Sequence, residues 1–221
     1  MRIAILGGTG DIGEGLALRW AYDTHHEVVV GSRDPERARS KAEEYETELD
    51  SRGVDRKVTG FANEMAADRG DVVVLAVPPY HATDVVEDVA DALSDAVLVS
   101  PAVGMDRDDD GLHYNPPAAG SVTELVAETA PADVPVVGAF HTLAADRLAN
   151  LDNELDLDTV VLGDDGDAVE QVAELARGID GLRPVRGGGL ANAAEVEAIT
   201  PLLVNLATFN DGLFDLGVKF Q

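Results

Sequence analysis

The sequence predicts an α/β fold: a doubly wound parallel sheet followed by a small C-terminal α/β domain. Three observations predict it. Strand and helix patterns alternate along the first two thirds of the chain, which is how βαβ units and a parallel sheet read. The runs Asp71-Val-Val-Val-Leu-Ala-Val77 and Ala96-Val-Leu-Val-Ser100 are continuously apolar, as strands covered on both faces require. A glycine turn, Gly7-Gly8-Thr9-Gly10-Asp11-Ile12-Gly13, stands between the first strand pattern and the first helical one.

In chain order, 1–6 reads as a strand. The helical run after the turn buries Leu16, Leu18 and Trp20. Residues 27–33 form a second strand. His25 and His26 ahead of it would point opposite ways on a strand, a poor metal pair, and read as surface loop. Residues 34–49 read as a helix with Pro35 in its first turn, where a missing N–H is tolerated. A third strand over 57–61 and a short helix at 65–67 follow. Pro78-Pro79 ends the strand over 71–77, and 80–93 is helical. Residues 104–118 read as a solvated polar loop. Asp106, Asp108, Asp110 and Gly111 imitate the start of an EF-hand loop, but its twelfth position is Pro117, so no calcium site is expected. A helix over 121–130, a sixth strand over 135–140 and a short helix to Asn150 complete the first domain, 1–150. In the second, 151–221, strand-like 158–163 and 182–185 flank a helix ending at Arg177. Its acidic start at Asp164, Asp165 and Asp167 suits a cap and the helix dipole. Arg186–Gly189 reads as a turn, 190–210 as one strongly apolar helix kinked at Pro201, and 211–221 as a tail.

The glycines carry the first chemical signal. Gly8, Gly10 and Gly13 give G-x-G-x-x-G directly after a strand and at a helix start, the context of a Rossmann dinucleotide-binding turn. There one glycine makes the turn, one lets backbone approach a pyrophosphate, and one lets helix and strand pack closely. The free N–H groups of the helix start face the phosphates. The second strand ends in Gly31-Ser32-Arg33, where an NAD site usually carries an acid for the ribose 2′-hydroxyl. A guanidinium there grips a 2′-phosphate with a bidentate fork. With Ser32 beside it and Arg37 and Lys41 on successive turns, Arg33 points to NADP rather than NAD.

Composition narrows the rest. The 221 residues carry 45% apolar side chains, ample for a core. There is no cysteine, which excludes disulfides, thiolate metal sites and thiol redox chemistry. Sixteen Lys+Arg against 42 Asp+Glu leave a net charge of −26, spread over the whole chain. That charge opposes nucleic acid and anionic membranes. It reads as the solvated surface of a halophile's protein, at an ionic strength where charges are screened within about 3 Å. No apolar run is long enough to span a membrane. Met1–Leu6 already reads as strand rather than secretory leader, so a cytoplasmic protein is expected.

Parallel-sheet ligands lie beyond the carboxyl ends of the strands, which puts the glycine turn, 77–79 and 100–103 on one rim. Of five histidines only His81 and His141 fall near it. No spaced set of metal ligands occurs, and no metal is expected. So few acid–base groups suit a hydride transfer between two cofactors, where the protein mainly holds two rings in contact and excludes water.

Several stretches together are distinctive: Gly-Gly-Thr-Gly-Asp-Ile-Gly, Val-Gly-Ser-Arg, Ala-Val-Pro, Val-Ser-Pro-Ala-Val, Ala-Phe-His-Thr, Leu-Ala-Asn-Leu-Asp, and the closing Ile-Thr-Pro-Leu-Leu-Val-Asn with Leu-Gly-Val-Lys-Phe. In them the chain resembles, over essentially its whole length, the archaeal F420H2:NADP oxidoreductases. The resemblance implies hydride exchange between the deazaflavin coenzyme F420 and NADP, in a homodimer. Carried over residue by residue, it implies NADP contacts at Thr9, Gly10, Asp11, Ile12, Ser32, Arg33, Arg37, Val77, Val103 and Ala145. It implies a deazaflavin side formed by His141, Leu143, Asn192, Thr200 and Leu206. The chain departs from the family where Ala193-Ala194 replace Ser-Arg and Ala198 replaces Ser. That leaves Arg183, Arg186 and Lys219 as the cations expected to meet the coenzyme's acidic tail. Two other readings compete. One is an NADPH-dependent imine or carbonyl reductase of the same fold, with Thr200 or His141 as proton donor. The other is a non-enzymatic NADP-sensing module.

Overall fold

The valine-rich runs are covered on both faces, and the side-chain period of two sorts their residues between two layers. Ile3, Ile5, Val72 and Val74 face one core, while Ala4, Leu6, Val73 and Leu75 face the other. A computed structural model describes all 221 residues, 1–221. The chain runs β1 (Arg2–Leu6), α1 (Asp11–Asp23), β2 (Glu27–Ser32), α2 (Pro35–Ser51), β3 (Val58–Ala62), α3 (Asn63–Ala67), β4 (Val72–Leu75) and α4 (Ala82–Val89). It continues through β5 (Val97–Ser100), β6 (Met105–Asp108), β7 (Gly111–Tyr114), α5 (Val122–Thr129), β8 (Val136–Gly138) and α6 (Ala145–Ala149). It ends with β9 (Leu157–Gly163), α7 (Gly166–Arg177), β10 (Leu182–Gly188), α8 (Ala193–Glu197) and α9 (Ile199–Phe209).

Eight strands form one sheet in the order β10-β9-β8-β5-β4-β1-β2-β3. All pairs are parallel except β8–β9. The chain winds outward from β1 in one direction through β2 and β3, then crosses back to β4. That reversal between β1 and β4 opens the crevice in which such sheets hold ligands. Side chains of α1, α2 and α7 pack with one core, and those of α3, α4 and α5 with the other.

Residues 151–221 share a sheet and a core with residues 1–150. Strands β9 and β10 extend the same sheet, entered by the antiparallel β8–β9 step. Val161, Val172, Leu175 and Leu182 share one cluster with Ile3 and Trp20. Trp20 is fully buried and donates its indole N–H to Leu175 O at 3.0 Å, which ties the halves together.

Three sequence expectations are corrected. Residues 104–118 are not simply a loop: β6 and β7 pair as an antiparallel hairpin. The charged Met-Asp-Arg-Asp of β6 and the short Gly-Leu-His-Tyr of β7 left no period-two signal, and the hairpin is held from outside. Leu112 N donates to Asn205 Oδ1 (2.8 Å) and Asn205 Nδ2 returns to Leu112 O (2.7 Å), so the hairpin sits on α9. The expected turn at 186–189 is still strand as far as Gly188, with an irregularity after Arg186. Finally, 190–210 is not one helix kinked at Pro201. It breaks at Ala198, and Pro201 stands in the first turn of α9, where proline's missing donor is harmless. Apolar α9 is also poorly covered. Only Pro201 is buried, while Leu202, Val204, Leu206 and Phe209 are exposed.

Candidate functional site

The glycine turn follows from what side chains would do there. Gly7 has φ +76°, a left-handed conformation that favours glycine, and a Cβ on it would lie 2.5 Å from Ala76 O. A Cβ on Gly8 would meet Ile5 O at 2.8 Å, and one on Gly13 would meet Gly8 Cα at 2.6 Å, so these two let α1 pack onto β1 and its turn. Gly10 differs. Its Cβ would meet only Gly7 O, at 3.4 Å, so this backbone edge is open for close approach.

Gly10 is also the N-cap of α1 and gives no side-chain cap. In contrast α2, α5 and α7 are capped by Asp34, Ser121 and Asp165. Helix starts leave N–H groups without intrahelical partners. Those of α1 remain available at the crevice, as an anion site requires.

This rim opens into a cavity of about 420 Å³ lined by Gly7, Thr9, Gly10, Ser32, Arg33, Arg37, Asn63, Val77, Pro78, His81, Asp84 and Asp88 among others. Thirteen of the 16 cations have a carboxylate, carbonyl or ring partner for their side chain, leaving three: Arg33, Arg37 and Arg107. Two of those three face this cavity. Lys41 does not join them, because Glu44 (2.7 Å) and Glu14 (3.6 Å) hold it. The frame under the arginines is firm. Arg33 follows β2 directly, and Asp34 Oδ1 accepts from Glu36 N and Arg37 N to start α2.

A second cleft, of about 230 Å³, is mostly apolar and lined by Thr142, Leu143, Ala144, Thr200, Leu203, Val204, Ala207, Asp215 and Leu216. The strip that enters it follows an unusual residue. Phe140 is buried with φ +68°, a conformation rare for a bulky side chain. Its N–H donates to Thr159 Oγ1 at 2.9 Å, and its ring stands edge-on to Trp20 at 5.6 Å, which hold it there. His141 follows, 5% exposed, its Nε2 3.2 Å from Thr123 Oγ1, its Nδ1 without a partner. Burial pushes its pKa down to about 4, so the ring is neutral at physiological pH. Thr200 Oγ1 donates to His141 O at 2.9 Å, docking α9 on the strip.

The expected residues fall out as follows. Thr9, Gly10, Ser32, Arg33, Arg37 and Val77 converge on the first cavity, and Leu143 and Thr200 on the second. Asp11 is exposed in the first turn of α1, and Ile12 packs against the core, so only their backbone is available to the crevice. Ala145 starts α6, with its carbonyl 3.1 Å from where a Gly15 Cβ would sit, and so lies against α1. Val103 is buried and lines neither cavity. Leu206, 39% exposed, stands outside the second cleft, and exposed Asn192 donates to Gly187 O. The three cations expected for an acidic tail are engaged by acids. Asp158 accepts from Arg183 (2.8 and 2.7 Å), Asp156 pairs with Lys219 (2.6 Å), and Glu170 pairs with Arg186.

Sequence reasoning missed Gly7, Asn63, Asp84 and Asp88 in the first cavity, and Glu197 behind His141. Gly7 was findable, since it precedes the motif and follows a strand. Asn63 and the two aspartates carry no local pattern; β3 and the helix after β4 bring them in.

A family model described as NADP oxidoreductase coenzyme F420-dependent matches residues 2–104. The F420-dependent NADP reductase of Methanocaldococcus jannaschii is 38% identical over 208 residues, 93% of this chain and 92% of that protein. The protein of the same name from Methanothermobacter thermautotrophicus is 41% identical over 209 residues, covering 93% and 89%. Among solved structures, a candidate F420-dependent NADP reductase from Arthrobacter sp. FB24 superposes with TM-score 0.80 at 25% identity, covering 99% of this chain and 98% of that one. A pyrroline-5-carboxylate reductase from Coxiella burnetii shares the fold alone, with TM-score 0.55 at 19% identity over 83% of this chain and 58% of that one. Identity of this order, held along nearly the full length of both partners, means that the chain belongs to the family of F420-dependent NADP reductases.

Proposed function

We propose that this chain exchanges a hydride between NADP and coenzyme F420. One observation carries the reading beyond family membership: in a chain dominated by acids, the two cavity arginines have no anionic partner and stand beside an uncapped helix start. That is a place prepared for a phosphorylated ligand. The backbone edge at Gly10, open in space, fits the close approach of a dinucleotide.

When bound, the nicotinamide and the deazaflavin supply the redox chemistry, a hydride moving from ring carbon to ring carbon. The chain's residues position and exclude water. Arg33, with Ser32 and Arg37, holds the 2′-phosphate; the first turn of α1 holds the pyrophosphate; Thr9 and Val77 complete that wall. Leu143 and Thr200, with Leu203 and Val204 of α9, give an apolar face with one hydroxyl, as an aromatic ligand wants. His141 is buried and neutral, and Thr200 Oγ1 gives its proton to His141 O (2.9 Å), so neither supplies a ready proton. This favours cofactor-to-cofactor transfer over an imine or carbonyl reductase, which needs an acid at the reacting atom.

The exposed apolar side chains of α9 and of Leu213 and Phe214 support a homodimer, a second copy covering what this chain leaves bare. The −26 charge supports work in a salt-rich cytoplasm and opposes nucleic acid.

The test is an absorbance assay in molar KCl with NADP and reduced deazaflavin. Oxidised deazaflavin should reappear in step with NADPH. NADP binding without turnover would leave the sensing module, and turnover with a cyclic imine but no deazaflavin would leave the imine reductase.

A further inference from the structure

Glu197, at the end of α8, is fully buried and lines neither cavity, and the reaction as described makes no use of it. Four donors surround its carboxylate. Oε1 accepts from Thr123 N (2.9 Å) and Thr123 Oγ1 (2.9 Å), and Oε2 from Val122 N (3.0 Å) and Tyr114 O–H (3.1 Å). It thus joins the hairpin, the start of α5 and α8 at one point. Thr123 Oγ1 is also the atom that meets His141 Nε2, at 3.2 Å.

We propose that Glu197 is a positioning residue: through Thr123 it holds His141 as the Nε2–H tautomer, and so fixes the buried ring that backs the 142–144 strip of the apolar cleft. The logic is donor arithmetic. The two backbone N–H groups can only donate, and each carboxylate oxygen receives one. The threonine hydroxyl has one proton. Directed to Oε1, that proton leaves only lone pairs toward the ring, so the facing ring nitrogen must be the one bearing hydrogen. Nδ1, buried and without a partner, then carries the bare lone pair. The ring is neutral because burial disfavours its charge, so one tautomer must be chosen, and Glu197 chooses it. The backbone of the strip is held separately, by Thr200 at His141 O and by Thr159 at Phe140 N. The Glu197–Thr123 pair supplies what those bonds do not, the orientation of the ring. The positioning half of the inference rests on the reading of this strip as the deazaflavin wall; the tautomer half does not.

Two-bond ¹H–¹⁵N spectra of the labelled, full-length protein in molar KCl report the tautomer of each histidine, and His141→Gln assigns the ring. The wild type should show hydrogen on Nε2 and a bare Nδ1. Glu197→Gln keeps the volume but only one of the two acceptor oxygens; the carbonyl stays with Val122 N and Tyr114 O–H, Thr123 N–H loses its acceptor, and the NH₂ donates to Thr123 Oγ1. The hydroxyl proton then turns to the ring, and Nδ1–H should appear. Thr123→Val should remove the preference while leaving Glu197 at the start of α5, and Thr123→Ser should restore it. In deazaflavin turnover, Glu197→Gln and Thr123→Val should each lower kcat about fivefold, the equivalent of one hydrogen bond, with NADPH affinity unchanged and Thr123→Ser near wild type. A wild-type ring protonated on Nδ1, or a tautomer indifferent to Glu197→Gln and Thr123→Val, overturns the proposal. So does a shifted tautomer with unchanged kcat. A wild type that binds NADP yet moves no hydride to deazaflavin would instead overturn the functional reading, with the tautomer result still legible in the spectra.

Discussion

Replacing Arg33 by alanine should separate NADPH from NADH. The only group that distinguishes the two cofactors is the 2′-phosphate, and Arg33 and Arg37 are the cavity's two cations without an anionic partner. A hydrogen bond to a charged group contributes about 1.5–3 kcal/mol, or about 10- to 100-fold in affinity at roughly 1.4 kcal/mol per decade. Arg33 is exposed, so the lower figure belongs to molar KCl, where charges are screened within about 3 Å. We expect about a tenfold loss of NADPH affinity there and a larger one at low salt. NADH affinity should stay within about twofold. Arg33→Lys keeps the charge without the planar fork and should fall between. Arg107→Ala is the control for net charge, because it removes the third unpaired cation, on β6, which does not line the cavity. Titration of both nucleotides by calorimetry over a KCl series reads all of this. Equal losses for NADPH and NADH in Arg33→Ala would refute the reasoning, since that pattern belongs to a damaged turn rather than a lost phosphate contact.

Other outcomes follow from the same geometry. Gly13→Ala drives a methyl against Gly8 Cα and should lower stability by about 1–3 kcal/mol in urea unfolding; Gly10→Ala, with only Gly7 O nearby, should leave stability alone and weaken NADP, and the reverse ranking would contradict the assigned roles. His141 has a folded pKa pushed down to about 4 from 6.5, so the unfolded chain binds the extra proton. Stability should therefore be intact above pH 6.5 and decline as pH falls toward 4 by up to roughly 3 kcal/mol. His141→Gln should flatten that part of the unfolding profile, and an unchanged slope would show that another group titrates there. Asp158, buried, accepts from both Arg183 nitrogens and from Phe220 N, and these bonds hold its carboxyl below the usual carboxylate range. Asp158→Asn should cost about 2 kcal/mol and expose the C-terminal tail to protease first; equal protease sensitivity in mutant and wild type would count against that anchor. The −26 charge calls for a melting temperature that climbs steeply from low to molar KCl, and a flat series would deny that repulsion limits this fold.

Much of the fold was legible because local rules and burial agree there. Val72–Leu75 reads as a two-sided strand and is one, with residues alternating between two cores. Asp34 and Pro35 announce the start of α2, and they start it. Arg33 and Arg37 were found because the end of a second strand is a known address relative to the glycine turn. Elements stabilised from outside were not legible. The hairpin at 105–114 is charged from Asp106 to Asp110 and is held by Asn205, more than 90 residues away. The break at Ala198 leaves no mark in a run whose composition is helical throughout.

The amino-acid sequence by itself determined the parallel sheet, the crevice beside the glycine turn and the placing of Ser32, Arg33 and Arg37 at that crevice, because each rests on residues close together in the chain and on one-residue chemistry. Tertiary structure alone decided which charges are free. Arg33 and Arg37 keep theirs for the cavity, while Arg183, Arg186 and Lys219, equally basic on paper, are neutralised by Asp158, Glu170 and Asp156. It also decided that His141 is a buried, neutral ring with Thr123 and Glu197 behind it, three residues from three separate stretches. The physical reason is the same in both cases. A side chain's charge state and hydrogen-bond direction are set by whatever lies within about 3 Å of it, and for these groups every such neighbour but their own backbone comes from elsewhere in the chain.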